Sequence, residues 1–106
     1  MKWLSRKEEF VLLAILRLRN NAYGVSIRRH VVDATGKYWS IGAIYDVLDR
    51  LARKKLVTVQ AGAPLAERGG RARQYYLVTR TGFQALEEVR VIHNDMWADL
   101  PDPALE

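Results

Sequence analysis

Ser40 to Lys55 reads S-I-G-A-I-Y-D-V-L-D-R-L-A-R-K-K, and it joins a helix start signal, an apolar stripe and a polar face ending in cations. Ser40 is a good N-cap, because its hydroxyl can accept from a backbone N–H left without a partner in the first turn. Ile41, Ile44, Leu48 and Leu51 recur at helical spacing, so one side can be buried while Asp46, Asp49, Arg50 and Arg53 point away from it. Arg53, Lys54 and Lys55 occupy the last turn. There they suit the negative end of the helix dipole without any ligand.

Upstream, Ser5 is a plausible cap for a helix running to about Arg19, with Arg6 to Glu9 solvated and Phe10 to Leu16 almost wholly apolar. Such a helix is central in a small domain, or it also meets a second subunit. A second helix is expected from about Tyr23 to Ala34, with Ile27, Val31 and Ala34 on one face and a glycine cap at Gly36. Downstream the period changes from 3.6 to 2. Val57 to Val59 reads as a short strand and Gln74 to Thr79 as its partner. The glycines, proline and lack of periodicity between them predict a long hairpin loop carrying Arg68, Arg71 and Arg73. Thr79 or Thr81 then caps a last helix to about Leu100, which Pro101 and Pro103 terminate.

The order helix, helix, helix, strand, basic loop, strand, helix predicts a mainly α fold with a small β-hairpin, that of a winged helix-turn-helix followed by a C-terminal dimerisation helix. Its 106 residues have the length of one domain. Residues 1–82 form the winged unit on this reading, and residues 83–106 form the dimerisation helix with an acidic tail. Cysteine is absent, which excludes disulfide scaffolds, thiolate zinc sites and cysteine nucleophiles. The start lacks the apolar run of a signal peptide, and Phe10 to Leu16 is too short to cross a membrane, so a cytoplasmic protein is expected.

Net charge is +5, and its distribution is uneven. Through Gly82 there are 16 basic and 6 acidic side chains, a net of +10; beyond it Arg90 faces six carboxylates, a net of −5. A polyanion such as double-stranded DNA is drawn to the first part and repelled by the second. A helix such as Ser40 to Lys55 fits the major groove, and an arginine-bearing loop can reach the adjoining minor groove. Solvated charge that merely keeps the surface soluble is the competing explanation.

The residues also carry a resemblance. E-F-V-L-L-A-I-L from Glu9, Y-G-V-S-I-R-R from Tyr23, S-I-G-A-I-Y-D-V-L-D-R-L from Ser40 and G-G-R-A-R-Q-Y-Y-L-V-T-R-T-G from Gly69 together resemble the PadR family of bacterial transcriptional regulators. The resemblance implies a homodimeric repressor held together by its last helix, bound to a pseudo-palindromic operator and often released by a small effector or stress cue. No cofactor and no enzymatic activity are expected, since nothing in the sequence suggests a nucleophile with a base or a three-ligand metal set. Ser40, Gly42, Ala43 and Tyr45 would lie at the groove end of the recognition helix, and Gly69, Gly70, Arg71 and Arg73 in the wing. Tyr45 would donate to a phosphate or base, or else half-pack against the second helix. Arg28 and Arg29 could clamp a phosphate, or be ordinary surface residues. Asp46 stands where the family often has proline; it would accept from a cytosine amino group or pair with Arg50. Lys55 stands where a glycine is frequent, and Gln74 and Leu77 where basic residues are.

The single C-terminal helix matches the short subgroup of the family. Phe10, Val89, Ile92, His93, Met96 and Trp97 would be buried between subunits or near an effector. Trp97 could stack a planar hydrophobic effector, or with Met96 simply seal the dimer. His30 and His93 lie far apart, and His93, Asp95 and Asp99 are better explained as solvated helix residues than as metal ligands. A winged helix can also serve as a protein-protein adaptor, a use that Asp46 and Asp49 would suit.

Overall fold

The chain was analysed as a computed structural model, which describes residues 3–64 and 72–105. Four helices and one antiparallel hairpin follow the expected order: α1 (Arg6–Leu18), a 3-10 turn (Arg19–Asn21), α2 (Gly24–Thr35), α3 (Ile41–Arg53), β1 (Val57–Pro64), β2 (Ala72–Val78) and α4 (Arg80–Trp97). A short 3-10 turn, Pro103–Leu105, lies beyond α4. The core gathers Leu12 and Ile15 of α1, Ile27 of α2, and Ile44, Leu48 and Leu51 of α3, all essentially buried. Val47 joins them, whereas Ile41, expected in the stripe, is 40% exposed because it lies in the first turn, beyond the reach of α1 and α2. Among the described residues no helix is long and apolar enough to cross a membrane.

The first turn of α1 differs most from expectation. Ser5 is the N-cap, and a capping box forms: the Glu8 N–H donates to Ser5 Oγ at 3.1 Å while the Ser5 N–H donates to Glu8 Oε1 at 2.8 Å. Glu8, expected in solvent, is only 2% exposed. Its Oε2 accepts from Lys54 Nζ at 2.7 Å, with Arg50 Nε 3.9 Å away. The end of α3 is thereby tied to the start of α1. Lys54 and Arg50 thus serve a tertiary ion pair besides complementing the dipole of their own helix.

The exit from α3 uses a non-glycine left-handed residue, Lys55, at φ 62°. Left-handed backbone costs such a residue free energy that surrounding contacts must offset. Here Thr79 supplies them. Its hydroxyl donates to the Lys55 carbonyl at 2.8 Å and accepts from the Gly82 N–H at 3.0 Å, so one side chain caps α4 and holds the turn into β1. Its own N–H donates to Leu56 O at 3.0 Å.

The hairpin is longer than the period-2 signal predicts. Pairing runs from Val57↔Val78 to Ala61↔Gln74 and, after a register shift, to Pro64↔Ala72. Glycine and alanine lack the side chains that mark a strand in sequence, so Ala61, which pairs with Gln74, and Gly62, which lies in the irregular stretch after it, read as loop although both belong to β1. At the other end α4 stops at Trp97, three residues short of expectation, and Ala98 adopts extended backbone.

Two substitutions test this framework. Burial pushes the Glu8 carboxyl up, but the Lys54 ammonium and the Ser5 N–H outweigh it and hold it below its ordinary value. A lowered folded value contributes stability above the unfolded carboxylate's value, and that stability is lost as pH falls through the acidic range below about 4. Glu8→Gln therefore destabilises the chain by about 1–2 kcal/mol at pH 7 and by much less near pH 3, measured by urea denaturation at both. Gly82→Ala puts a methyl against the Leu56 carbonyl oxygen and within 2.9 Å of Val78 Cγ1. Backbone cannot yield as a side chain can, so thermal denaturation should show a loss of about 1–3 kcal/mol.

Candidate nucleic-acid interface

α3 begins on a well-made cap. Ser40 Oγ accepts from the Ala43 N–H at 3.0 Å, leaving Ser40, Ile41 and Gly42 exposed in the first turn and Ala43 half-exposed. At Gly42 an added Cβ would meet only Ser40 Oγ at 3.9 Å, which is ordinary contact. The fold itself therefore does not require glycine there. Asp46 and Asp49 continue along the exposed side.

Tyr45 lies against the start of α2. It is 42% exposed, and its ring and hydroxyl occupy the space that a side chain on Gly24 would need. Tyr23-Gly24 is thus explained by close approach: glycine at the first position of α2 lets the Tyr45 ring close over the helix end. Of the two readings left open for Tyr45, half-packing on the second helix describes its position, with much of the residue still open to solvent.

The turn between α2 and α3 is built by Arg28. Its Nε donates to the Trp39 carbonyl, and its guanidinium stacks 5.4 Å from the ring centre of Tyr38. Trp39 is half-buried, and its indole N–H donates to Thr35 Oγ1 at 3.3 Å. Arg28 accordingly has a structural task, while Arg29 is exposed. Tyr38 is 80% exposed, two positions before the N-cap of α3. It is not among the residues expected at the site, and its signal is an aromatic residue two positions before the cap of an exposed helix start.

On the wing side, Gly69, Gly70 and Arg71 lie outside the described residues. Arg73 is described, and its guanidinium sits 4.2 Å from the ring centre of Tyr23. Tyr75 meets the same ring edge-on, 5.7 Å between centres at 71°. The Tyr76 N–H donates to Ala22 O at 2.8 Å, so β2 is fastened to the segment that opens α2. Cation–π contact of this kind contributes about 0.5–2 kcal/mol, which makes Arg73 a residue that positions the hairpin. Burial, with Tyr45 and Asp49 nearby, pushes the Tyr76 hydroxyl above its ordinary value, so it stays neutral and packs behind α3.

Of the two readings left open for Asp46, the pairing with Arg50 is absent among the described residues. Arg50 turns to Glu8 instead, because a buried carboxylate gains more from a nearby cation than an exposed one does. The structure brings Ser40, Gly42, Ala43, Tyr45 and Asp46 together at one end of α3 and directs Arg50 to the other.

The residues expected at a subunit interface line α4 and its neighbour α1. Phe10, Val89, Ile92 and His93 are half-buried, and His93 Nε2 lies 3.5 Å from Glu9 Oε1. Met96 and Trp97 are each 72% exposed. Two apolar depressions flank α1: one of about 250 Å³ beside Leu16, Phe83 and Leu86, and one of about 650 Å³ between α1 and α2. Among the described residues no group of three or more His, Cys, Asp or Glu side chains stands close enough to hold a metal ion.

Comparison with known proteins places this geometry. No curated protein sequence matches the chain. Similar solved structures include RosR from h. salinarum, at TM-score 0.71 and 23% identity, covering 93% of this chain and 82% of that one. A padr family transcriptional regulator from Eggerthella lenta gives TM-score 0.67 at 25% identity, covering 86% and 77%. F93 from STIV, a winged-helix DNA-binding protein, gives TM-score 0.70 at 13% identity, covering 94% and 100%. The low identities speak for the winged-helix fold. The family model described as transcriptional regulator PadR-like family matches residues 12–88, most of the chain, and shows that the chain belongs to the PadR-like family of transcriptional regulators.

Proposed function

We propose that this regulator is a homodimeric repressor that binds a pseudo-palindromic DNA operator. Residues 1–82 would form the DNA-binding unit and residues 83–106 the dimerisation helix and tail. The observation that carries the reading is the open first turn of α3, where Gly42 is glycine although a methyl would be tolerated by the fold. A side chain missing without internal cause is accounted for by an external surface that must come close, such as the floor and walls of a major groove.

In this arrangement Ser40, Gly42, Ala43, Tyr45 and Asp46 face the bases or the bordering phosphates, and Asp46 accepts from a cytosine amino group. Gly69, Gly70 and Arg71, outside the described residues, would contact DNA from the wing, and Arg29 and the exposed Tyr38 would touch its backbone. Arg28, Arg50 and Arg73 support these residues from behind. The net +10 of the first 82 residues supplies attraction that is independent of base sequence. Two copies joined along α4 would present two α3 helices to half-sites about 10 bp apart.

Met96 and Trp97 favour that pairing, since large apolar side chains so exposed at the end of a helix are stabilised by a second surface. A planar hydrophobic effector stacked on Trp97 would compete with the same contact and release the operator. A second reading, a winged-helix adaptor for another protein, is favoured by Asp46 and Asp49, whose carboxylates are exposed on the face assigned to DNA.

Three measurements test the proposal. In a titration of genomic fragments across salt concentrations, the parent should bind specifically, with affinity falling steeply as salt rises. Arg71→Ala should lower the slope of that dependence by about one, and Tyr45→Phe should weaken binding by about tenfold. No shift at low salt for the parent returns the adaptor reading. For the subunit contact, Trp97→Ala should weaken self-association by at least about tenfold in analytical ultracentrifugation. Planar hydrophobic compounds should quench the Trp97 emission of the parent; a flat response removes the effector while leaving the dimer in place.

A further inference from the structure

The larger groove, about 650 Å³ between α1 and α2, has an uneven chemistry. Phe10, Leu13, Ala34 and Trp39 line it with apolar surface, and Arg6, Lys7, Arg17, His30 and Lys37 line it with basic groups, the Lys7 ammonium lying 5.9 Å from the Trp39 ring centre. No carboxylate is found among the described residues that line it. Four cations around an apolar floor repel one another and leave apolar surface in water, so this side of the domain is better satisfied when covered by something anionic and apolar together.

The chain itself supplies a segment of that composition. In the last turn of α4 and just beyond it, the exposed Met96, Trp97, Leu100 and Leu105 are interspersed with Asp95, Asp99 and Asp102. Ala98 leaves the helix in extended backbone, and Asp99 turns the chain at φ 56°. From Ala98 onward the hydrogen bonds among the described residues stay local: Ala98 N–H to Asn94 O, Leu105 N–H to Asp102 O, and Ala104 N–H to Asp102 Oδ1. Among the described residues no hydrogen bond or ion pair ties this segment to the rest of the domain. Val89, Ile92 and His93 already lie abreast of Leu4 and Arg6, so α4 carries the segment out past the first turn of α1.

We propose that the acidic segment Asp95–Leu105 of one copy docks into the cation-rimmed groove between α1 and α2 of a second copy, with Trp97 and Leu100 on the apolar floor and Asp99 and Asp102 at the lysine and arginine rim. The proposal rests on the homodimer reading above. A two-fold axis makes the contact reciprocal, so each tail lies in its partner's groove and both grooves are filled. The charge asymmetry of the sequence, basic through Gly82 and acidic beyond it, then becomes an association device: opposite charges steer the two copies together and fix which end of α4 meets which face.

Carbodiimide cross-linking, which joins a carboxylate directly to an amine in contact with it, tests the assignment on an equal mixture of ¹⁵N-labelled and unlabelled full-length chain. Mass spectrometry should find Lys7 or Lys37 joined to Asp99 or Asp102 in pairs of mixed isotope. In parallel, the variant Asp95→Asn/Asp99→Asn/Asp102→Asn should raise the dimer Kd about tenfold at low ionic strength, with the difference vanishing near about 1 M salt. A dimer that gives none of these cross-links, or gives them only within single-isotope chains, overturns the docking while the homodimer stands, as does an unchanged Kd for the triple variant. A parent chain that sediments as a monomer at every concentration overturns the homodimer reading and the docking with it.

Discussion

A carboxylate removed from water must find compensating charge and hydrogen bonds, and in this protein that requirement falls on Glu8. With both oxygens engaged, one by the Ser5 amide and one by Lys54, a single side chain joins the start of α1 to the end of α3. Losing one partner of such an arrangement leaves a buried charge exposed to its full desolvation cost, so the two helix ends are held in one relation. The angle at which α3 presents its other end follows from this pin together with the packing of Ile44, Leu48 and Leu51. Cations that look available for a ligand in the sequence are thereby assigned elsewhere.

The same economy of side chains governs the hairpin. Thr79 closes the turn out of α3 and caps α4 with one hydroxyl, and Arg73 lies on Tyr23 while Tyr75 meets the same ring from its edge. Recognition helix, wing and last helix are consequently fixed to a shared set of atoms around the start of α2 and the end of α3. Precise placement of this sort is what a site needs when its residues must hold a geometry complementary to a rigid partner. It also separates two kinds of arginine: those that support the surface from behind, such as Arg28, Arg50 and Arg73, and those that have no such task in the described structure, such as Arg29.

The far end of the molecule has the opposite character. α4 meets α1 as far as His93, which lies 3.5 Å from Glu9 Oε1, and its last turn exposes Met96 and Trp97, which a small single core cannot cover. A domain of this size buries a limited share of its surface, and a helix that extends beyond the core is stabilised by packing against another surface. The cationic groove beside α1 and the acidic segment at the end of α4 are complementary in composition, and the groove reaches Trp39, next to the cap of α3.

Local rules were enough to read much of this from sequence. Ser5, Ser40 and Thr79 announce three helix starts, the apolar spacing of Ile44, Leu48 and Leu51 gives the buried side of α3, and the β-branched Val57 to Val59 marks a strand, because caps, helical periodicity and strand propensity act over a few neighbouring residues. The combination of motifs likewise made the PadR-like resemblance legible, and with it the end of α3 to examine. What the tertiary structure alone decided lies between residues distant in sequence: Glu8 with Lys54, Tyr45 over Gly24, Arg73 on Tyr23, and Thr79 on Lys55. Each turns a residue that sequence describes as solvated, cationic or loop-forming into a fastening, since the free energy of burying charge or closing a ring on a backbone depends on which surfaces the fold brings together and on no property of the local sequence.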